Sequence, residues 1–402
     1  MITKNMNLSG GYSHSVPDGY GILWTVLKVF GIDVMEENSE EKIRTKATFA
    51  LLYVYIKKIL INLFPIILHL MQIYAVGSWC ILIEQELAKT EVMLSFTVVN
   101  LLSTAIWHDV KRKKGLIKDL VIKCHIIETY FHKNERNIST IINVCLALTV
   151  TISTISALLC SFFMSTYAIE YKIFYSFFWL LKSENFICLL VRSLIIVITY
   201  AILIQLPAVV AILSAAIYYK FSDLLANLAE NIEKMRYSAP NDEEIVIVMK
   251  RYNLLYQLAL EVEKVLSSCS FLLLCSQGLN LCVVLIVFTV LDSNSFSYVH
   301  TWECIPRLIL DPLIIVAVVS CGSRISSQIH RIRTSLQLIY YTLGYDMENK
   351  RKTMKLVKNI IKVDFPQMTA LGVLTIKPVL ILSTFGSVLT YGLLVLSIKK
   401  NN

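Results

Sequence analysis

Charge is scarce in this sequence. Only 17% of its 402 residues are Asp, Glu, Lys or Arg, where soluble domains carry about a quarter. Glycine and proline are few as well, 13 and 8. That excludes a low-complexity chain and the turn-rich pattern of a membrane β-barrel. The ten cysteines include no C-x-x-C pair, so no metal site is expected. The first twenty residues lack an apolar h-region, so no cleaved signal peptide is expected and the first span would act as the targeting signal. H-E-x-x-H, G-x-S-x-G and a phosphate loop are all missing, which argues against an enzyme and leaves no cofactor to assign. His69, mid-way along one apolar run, and His108, at the end of the next, suggest no pair.

Hydrophobic residues make up 56% of the chain, and the mean hydropathy is +0.63. Seven runs are long enough to cross a bilayer core of about 30 Å. They are Ile59–Ile83, Glu91–His108, Ser139–Tyr167, Phe186–Tyr219, Ser268–Leu291, Leu308–Gly322 and Leu371–Ile398. The expected fold is an all-α membrane protein with seven transmembrane helices. The third and fourth runs exceed what a membrane needs, so tilt or extension into water absorbs the excess.

The net charge of +9 does not point to nucleic acid, because the basic residues lie in short loops between apolar runs and not on one polar domain. Thirty of the 38 lysines and arginines fall in the N-terminal segment and in the loops after spans two, four and six. Six fall in the other loops and the tail, and Arg192 and Lys377 lie within spans. The bias places the N-terminus in the cytoplasm and, after an odd number of crossings, the C-terminus outside. The sequons at Asn7 and Asn137 then lie on the cytoplasmic side, and neither is expected to be used.

Amphipathic periodicity continues in the cytoplasmic segments, at Gly115–Phe131, Phe221–Met235, Glu244–Ser267, Gln328–Asp346 and Lys350–Val363. A turn at Ala239–Asp242 separates the second from the third. These helices either form a cytoplasmic anchor layer used in assembly or lie on the anionic inner leaflet. The chain thus divides into a cytoplasmic segment 1–58, spans with helical extensions 59–326, anchor helices 327–370, and a seventh helix with a short external tail 371–402.

The last span carries small polar groups on one stripe. Ser383, Ser387, Thr390, Leu394 and Ser397 are spaced by four, three, four and three, with Gly386 beside them. Bulky apolar residues fill the other faces. Small residues let helices pack closely in a membrane. Hydroxyls also line water where large apolar side chains cannot. Both readings stand on the residues alone, and the second needs copies of the helix around a symmetry axis.

The C-terminal stretch resembles the arthropod gustatory receptor family, whose members typically carry Thr-Tyr, five hydrophobic residues and Gln-Phe. Thr390-Tyr391 match, Gly392–Leu396 stand for the five, and Ser397-Ile398 replace Gln-Phe. Thr369-Ala370-Leu371-Gly372 resembles the Thr-Ala-x-Gly that precedes it, and Tyr20–Val34 resembles the family's N-terminal region. The resemblance implies a plasma-membrane, tetrameric, ligand-gated, non-selective cation channel that detects a small-molecule tastant. Its partners would be membrane lipid, monovalent and divalent cations, and identical or related subunits. It further implies that Leu394, Ser397 and Ile398 form the constriction, with Thr390, Ser387 and Ser383 further along the pore. Leu394 and Ile398 would close it by dewetting. The loss of the Gln amide at Ser397, and Lys399-Lys400 at the outer mouth, bear on selectivity.

The same resemblance implies a ligand pocket in the outer half of each bundle. Polar and aromatic residues near that depth are Asn100, Ser153, Ser156, Arg192, Tyr200, Trp302 and Asp311. Arg192 either pairs with Asp311 or snorkels to the outer interface. Trp179 and Trp302 serve either as interface-belt residues or as ligand platforms. Cys80, Cys188 and Cys304 fall near one membrane face and are either disulfide-bonded in part or unpaired. A seven-helix G-protein-coupled receptor and a secondary transporter are the competing classes. The orientation and the missing Asp-Arg-Tyr and Asn-Pro-x-x-Tyr argue against the first. The absence of internal repeats argues against the second.

Overall fold

The computed structural model describes residues 20–34, 48–84, 90–131, 138–163, 186–237, 241–290, 298–344 and 351–401. Its helices are α1 Gly21–Val29, α2 Thr48–Glu84, α3 Thr90–Arg112, α4 Lys114–Tyr130, α5 Ile138–Phe162, α6 Phe186–Tyr200, α7 Leu206–Tyr237, α8 Asp242–Val290, α9 Tyr298–Gly344, α10 Arg351–Ile361 and α11 Val379–Asn401. Helical residues lie within each of the seven expected spans, the fourth running through α6, a π turn and α7. Among the described residues, four helical stretches are long and apolar enough to cross a membrane: Ile138–Phe162, Phe186–Tyr237, Asp242–Phe288 and Cys304–Gly344. Asn62–Ser78 and Val379–Leu394 are shorter apolar helices.

Local chemistry explains the boundaries. A π-helical turn at Ala201–Gln205 joins α6 to α7. It lies just before Pro207, which has no N–H to give and whose ring crowds the carbonyl four residues back. Asn241 caps α8: its Oδ1 accepts from Glu244 N at 2.8 Å, and Glu244 Oε2 accepts from Asn241 N at 3.2 Å. Asp242, Glu243 and Glu244 place negative charge at the same helix start.

The helix α8 has 49 residues and α9 has 47. At 1.5 Å per residue both are roughly 70 Å long, more than twice the bilayer core. The amphipathic stretches Phe221–Met235, Glu244–Ser267 and Gln328–Gly344 are continuations of spanning helices. These three stretches pack on one another. The helix α9 packs most extensively along α7. Far along the extension Arg331 grips Glu233 with two hydrogen bonds, Nε at 2.7 Å and Nη2 at 2.6 Å. Those bonds hold the Glu233 carboxyl below the usual carboxylate range.

The seventh helix begins later than the sequence suggests. Residues from Leu371 do not continue a helix. Thr369–Ala370 and Leu374–Thr375 pair as a two-stranded antiparallel hairpin. Its turn puts Leu371 at φ 57° and Gly372 at φ 71°, with Val373 N bonded to Ala370 O at 3.1 Å. Glu263 and Ser267 of α8 hold this turn. Glu263 accepts from Thr369 N at 3.0 Å and from the Thr369 hydroxyl, and Ser267 Oγ accepts from Leu371 N at 2.8 Å. Pro378 then disfavours helix at Lys377, and α11 starts at Val379. The first spanning helix starts at Thr48, earlier than the expected Ile59.

Ile376 anchors the segment below α11. It is buried, and a Cβ added to Gly322 of α9 would lie 2.8 Å from its Cγ2. Gly322→Leu is therefore expected to overpack this contact and cost about 1–3 kcal/mol. Thermal unfolding in detergent should show the loss, and Ile376→Ala in the same chain should restore much of it.

Candidate functional site

Three faces of α11 have different surroundings. Ile381, Thr384, Phe385, Val388 and Gly392 turn toward the chain's own bundle and are partly or fully buried. They pack chiefly on α8. Glycine lets the two helices approach: a Cβ on Gly392 would meet Leu285 at 3.0 Å, and one on Gly278 would meet Thr384 at 3.9 Å. At 3.6 residues per turn, the hydroxyl stripe lies on the opposite side of the helix. Ser383, Ser387, Thr390, Leu394 and Ser397 are all exposed. Leu382, Leu389 and Leu393 form an exposed apolar flank between the two.

The stripe is therefore not what fastens α11 to its own subunit. The face carrying Gly392 does that. Thr390 donates to Gly386 O at 2.8 Å and Ser397 to Leu394 O at 2.9 Å. Each hydroxyl keeps lone pairs free to face whatever covers the stripe. Tyr391 of the Thr-Tyr pair is partly exposed beside the stripe. The side chain of Ile398 lies outside the described residues.

The polar residues proposed for a ligand divide into separate groups. On α3, the Asn100 carbonyl accepts from Gln72 Nε2 at 2.9 Å, and the same amide reaches Thr104 Oγ1 at 2.6 Å. On α5, Ser153 is fully buried and accepts from Gln205 Nε2 at 2.7 Å, at the π turn. Ser156 is buried on the same helix, and Tyr200 Oη meets Cys160 Sγ at 3.0 Å. Asp311 is buried on α9. Trp302 and Trp179 have side chains outside the described residues.

Asp311 does not take Arg192 as its partner. The charge that acts on it is Arg307, one turn earlier on α9. Both are nine-tenths buried or more, and the Arg307 guanidinium lies 5.0 Å from the Phe96 ring of α3. Asp311 Oδ2 and Arg307 Nε find no hydrogen-bond partner among the described residues. The same holds for both amide ends of Gln277, for Asn280 Oδ1 and for Ser276 Oγ on α8, each about 1% exposed or less. Unsatisfied buried polar groups in an apolar bundle are costly. The sequence reading missed Arg307, Gln277 and Asn280, although amides within the run Ser268–Leu291 were a usable signal. No disulfide joins Cys80, Cys188 and Cys304.

No family model matches the sequence, and no curated protein matches it. The fold has solved counterparts. The structure of the insect olfactory receptor OR5 from Machilis hrabei in complex with eugenol superposes with a TM-score of 0.63. Identity is 14%, over 94% of this chain and 97% of that one. A second structure of the same receptor gives 0.58, again at 14% identity and the same coverage. The chain shares that fold nearly from end to end.

Proposed function

We propose that this chain is a chemosensory receptor subunit that assembles around its terminal helix into a ligand-gated cation channel. The observation that carries the reading is the direction of the α11 stripe. Its hydroxyls point away from the bundle that the described residues form. A single chain cannot enclose water with one helix, so the stripe needs copies, and four copies about an axis make a pore lined by Ser383, Ser387, Thr390 and Ser397. Leu394 and Ile398 close it. The end-to-end likeness to an insect olfactory receptor supports a chemosensory role and does not favour a G-protein-coupled receptor or a transporter.

In this reading the N-terminus is cytoplasmic, the C-terminus is outside, and the chain resides in the plasma membrane. The ligand is a small molecule held in the outer half of the bundle, where Arg307 and Asp311 join Asn100, Ser153, Ser156 and Tyr200 as polar groups in an otherwise apolar interior. In a taste organ that ligand is a tastant. Its binding shifts the resting population toward the open pore by as much as it prefers that state.

Ser397→Gln tests the assignment. It restores an amide donor and acceptor at the constriction. The expected result in a reconstituted bilayer is ligand-evoked current with altered permeability ratios among monovalent cations. Identical ratios in variant and parent would remove Ser397 from the conduction path. Substrate uptake with no channel-like current would exclude the channel itself.

A further inference from the structure

The two imidazoles that the sequence separates are brought together by the fold. His69 on α2 and His108 on α3 have ring centroids 5.2 Å apart, with planes tilted by 33°. Both side chains are exposed on the bundle surface. Trp107 meets His108 edge-on at 4.8 Å and His69 at 6.1 Å. The indole is buried and fixed from its far side, where Nε1 donates to the Phe30 carbonyl at 2.8 Å. Lys111 sits 4.3 Å over the same ring. The pair thus rests on a rigid aromatic floor where α2, α3 and the chain after α1 converge. Lys111 and Arg112, one turn further on along α3, mark the polar end of the apolar run that carries His108.

We propose that His69 and His108 form a two-imidazole site for a borderline divalent metal ion of the Zn²⁺, Ni²⁺ or Cu²⁺ class. Imidazole suits these ions, and zinc binds it at about 2.0–2.1 Å with tetrahedral angles. Two imidazoles on one such ion have ring centroids roughly 5 Å apart, by those bond lengths and angles. The observed centroid separation matches that figure. No third His, Cys, Asp or Glu completes a cluster among the described residues. Water fills the remaining positions, and the Lys111 charge opposes the ion. The site is therefore one of reversible binding. An ion there ties α2 to α3 without serving as a fold-defining metal.

Zinc titration of the full-length protein in detergent, against a competing chromogenic chelator, tests this without any need for current. Failure here is thus distinct from failure of the channel reading. The parent should bind one more zinc per chain than His69→Ala or His108→Ala. Each variant should weaken that site at least about tenfold, as loss of one of two ligands requires. His69→Gln and His108→Asn, which keep polar volume, should behave like the alanine variants while eluting as the parent does in gel filtration. With Cu²⁺ as probe, the parent's spin-resonance spectrum should show two coordinating nitrogens and the single variants one. Equal zinc affinity and unchanged copper spectra across parent and variants would overturn the assignment and leave the pair as aromatic packing.

Discussion

Cysteine placed at Ser383, Ser387, Thr390 or Ser397 will react with a membrane-impermeant thiol reagent applied from the C-terminal side. It will do so at least about ten times faster than cysteine at Ile381, Phe385 or Val388, since only a hydrated thiol forms the reactive thiolate. The argument rests on three environments that one helix presents. Residues packed on α8 are shielded by protein. Leu382, Leu389 and Leu393 face outward but are bulky and apolar, and lipid gives the reagent no path to them. Only the hydroxyl stripe has a reason to meet water. Cys80 and Cys145 are exposed and need replacement first, whereas burial pushes the Cys124 thiol up to about 12 and leaves it inert. Ligand should raise the rates at Ser383 and Ser387, which lie inward of the proposed constriction at Leu394. A stripe as unreactive as the leucine flank means dry packing or lipid, and a central water path is then excluded.

Much of the fold was legible because periodicity is a local property. The amphipathic helices at Gly115–Phe131 and Lys350–Val363 appear within a residue or two as α4 and α10. Of the α4 apolar positions Leu116, Leu120, Val121, Cys124 and Ile127, all but Leu116 are buried. The hairpin before α11 was not legible. Its residues are apolar enough to read as helix, and Leu371 adopts a positive φ that a leucine on its own disfavours. The cause lies more than a hundred residues away, in Glu263 and Ser267 of α8. Distance in sequence also hid Arg307 beside Phe96, and His69 beside His108. The orientation of the stripe was half legible: spacing put the hydroxyls on one face, but only packing shows that Gly392 faces the bundle and the hydroxyls face away.

Lys220→Met will destabilise the folded chain more than any stripe variant, by about 3–5 kcal/mol, the usual cost of leaving one partner of a buried ion pair uncompensated. Lys220 of α7 and Glu128 of α4 approach to 2.7 Å, and their side chains are only 11% and 8% exposed. The ammonium comes in off the direction a hydrogen bond to that oxygen needs, so it acts chiefly as a charge. It also lies 5.8 Å from the Tyr20 ring, at the start of the N-terminal region, and His125 is 3.9 Å from the same carboxylate. With methionine at 220 the aliphatic stem is conserved and the Glu128 charge is left buried. Lys220→Met with Glu128→Gln removes both charges and should recover most of the loss, since a neutral pair of similar volume carries no buried charge. Thermal unfolding in detergent reads both, and the single variant should melt several degrees below the double. If single and double variants melt together, solvent must already reach Glu128. The pair would then be an ordinary surface contact contributing under about 1 kcal/mol.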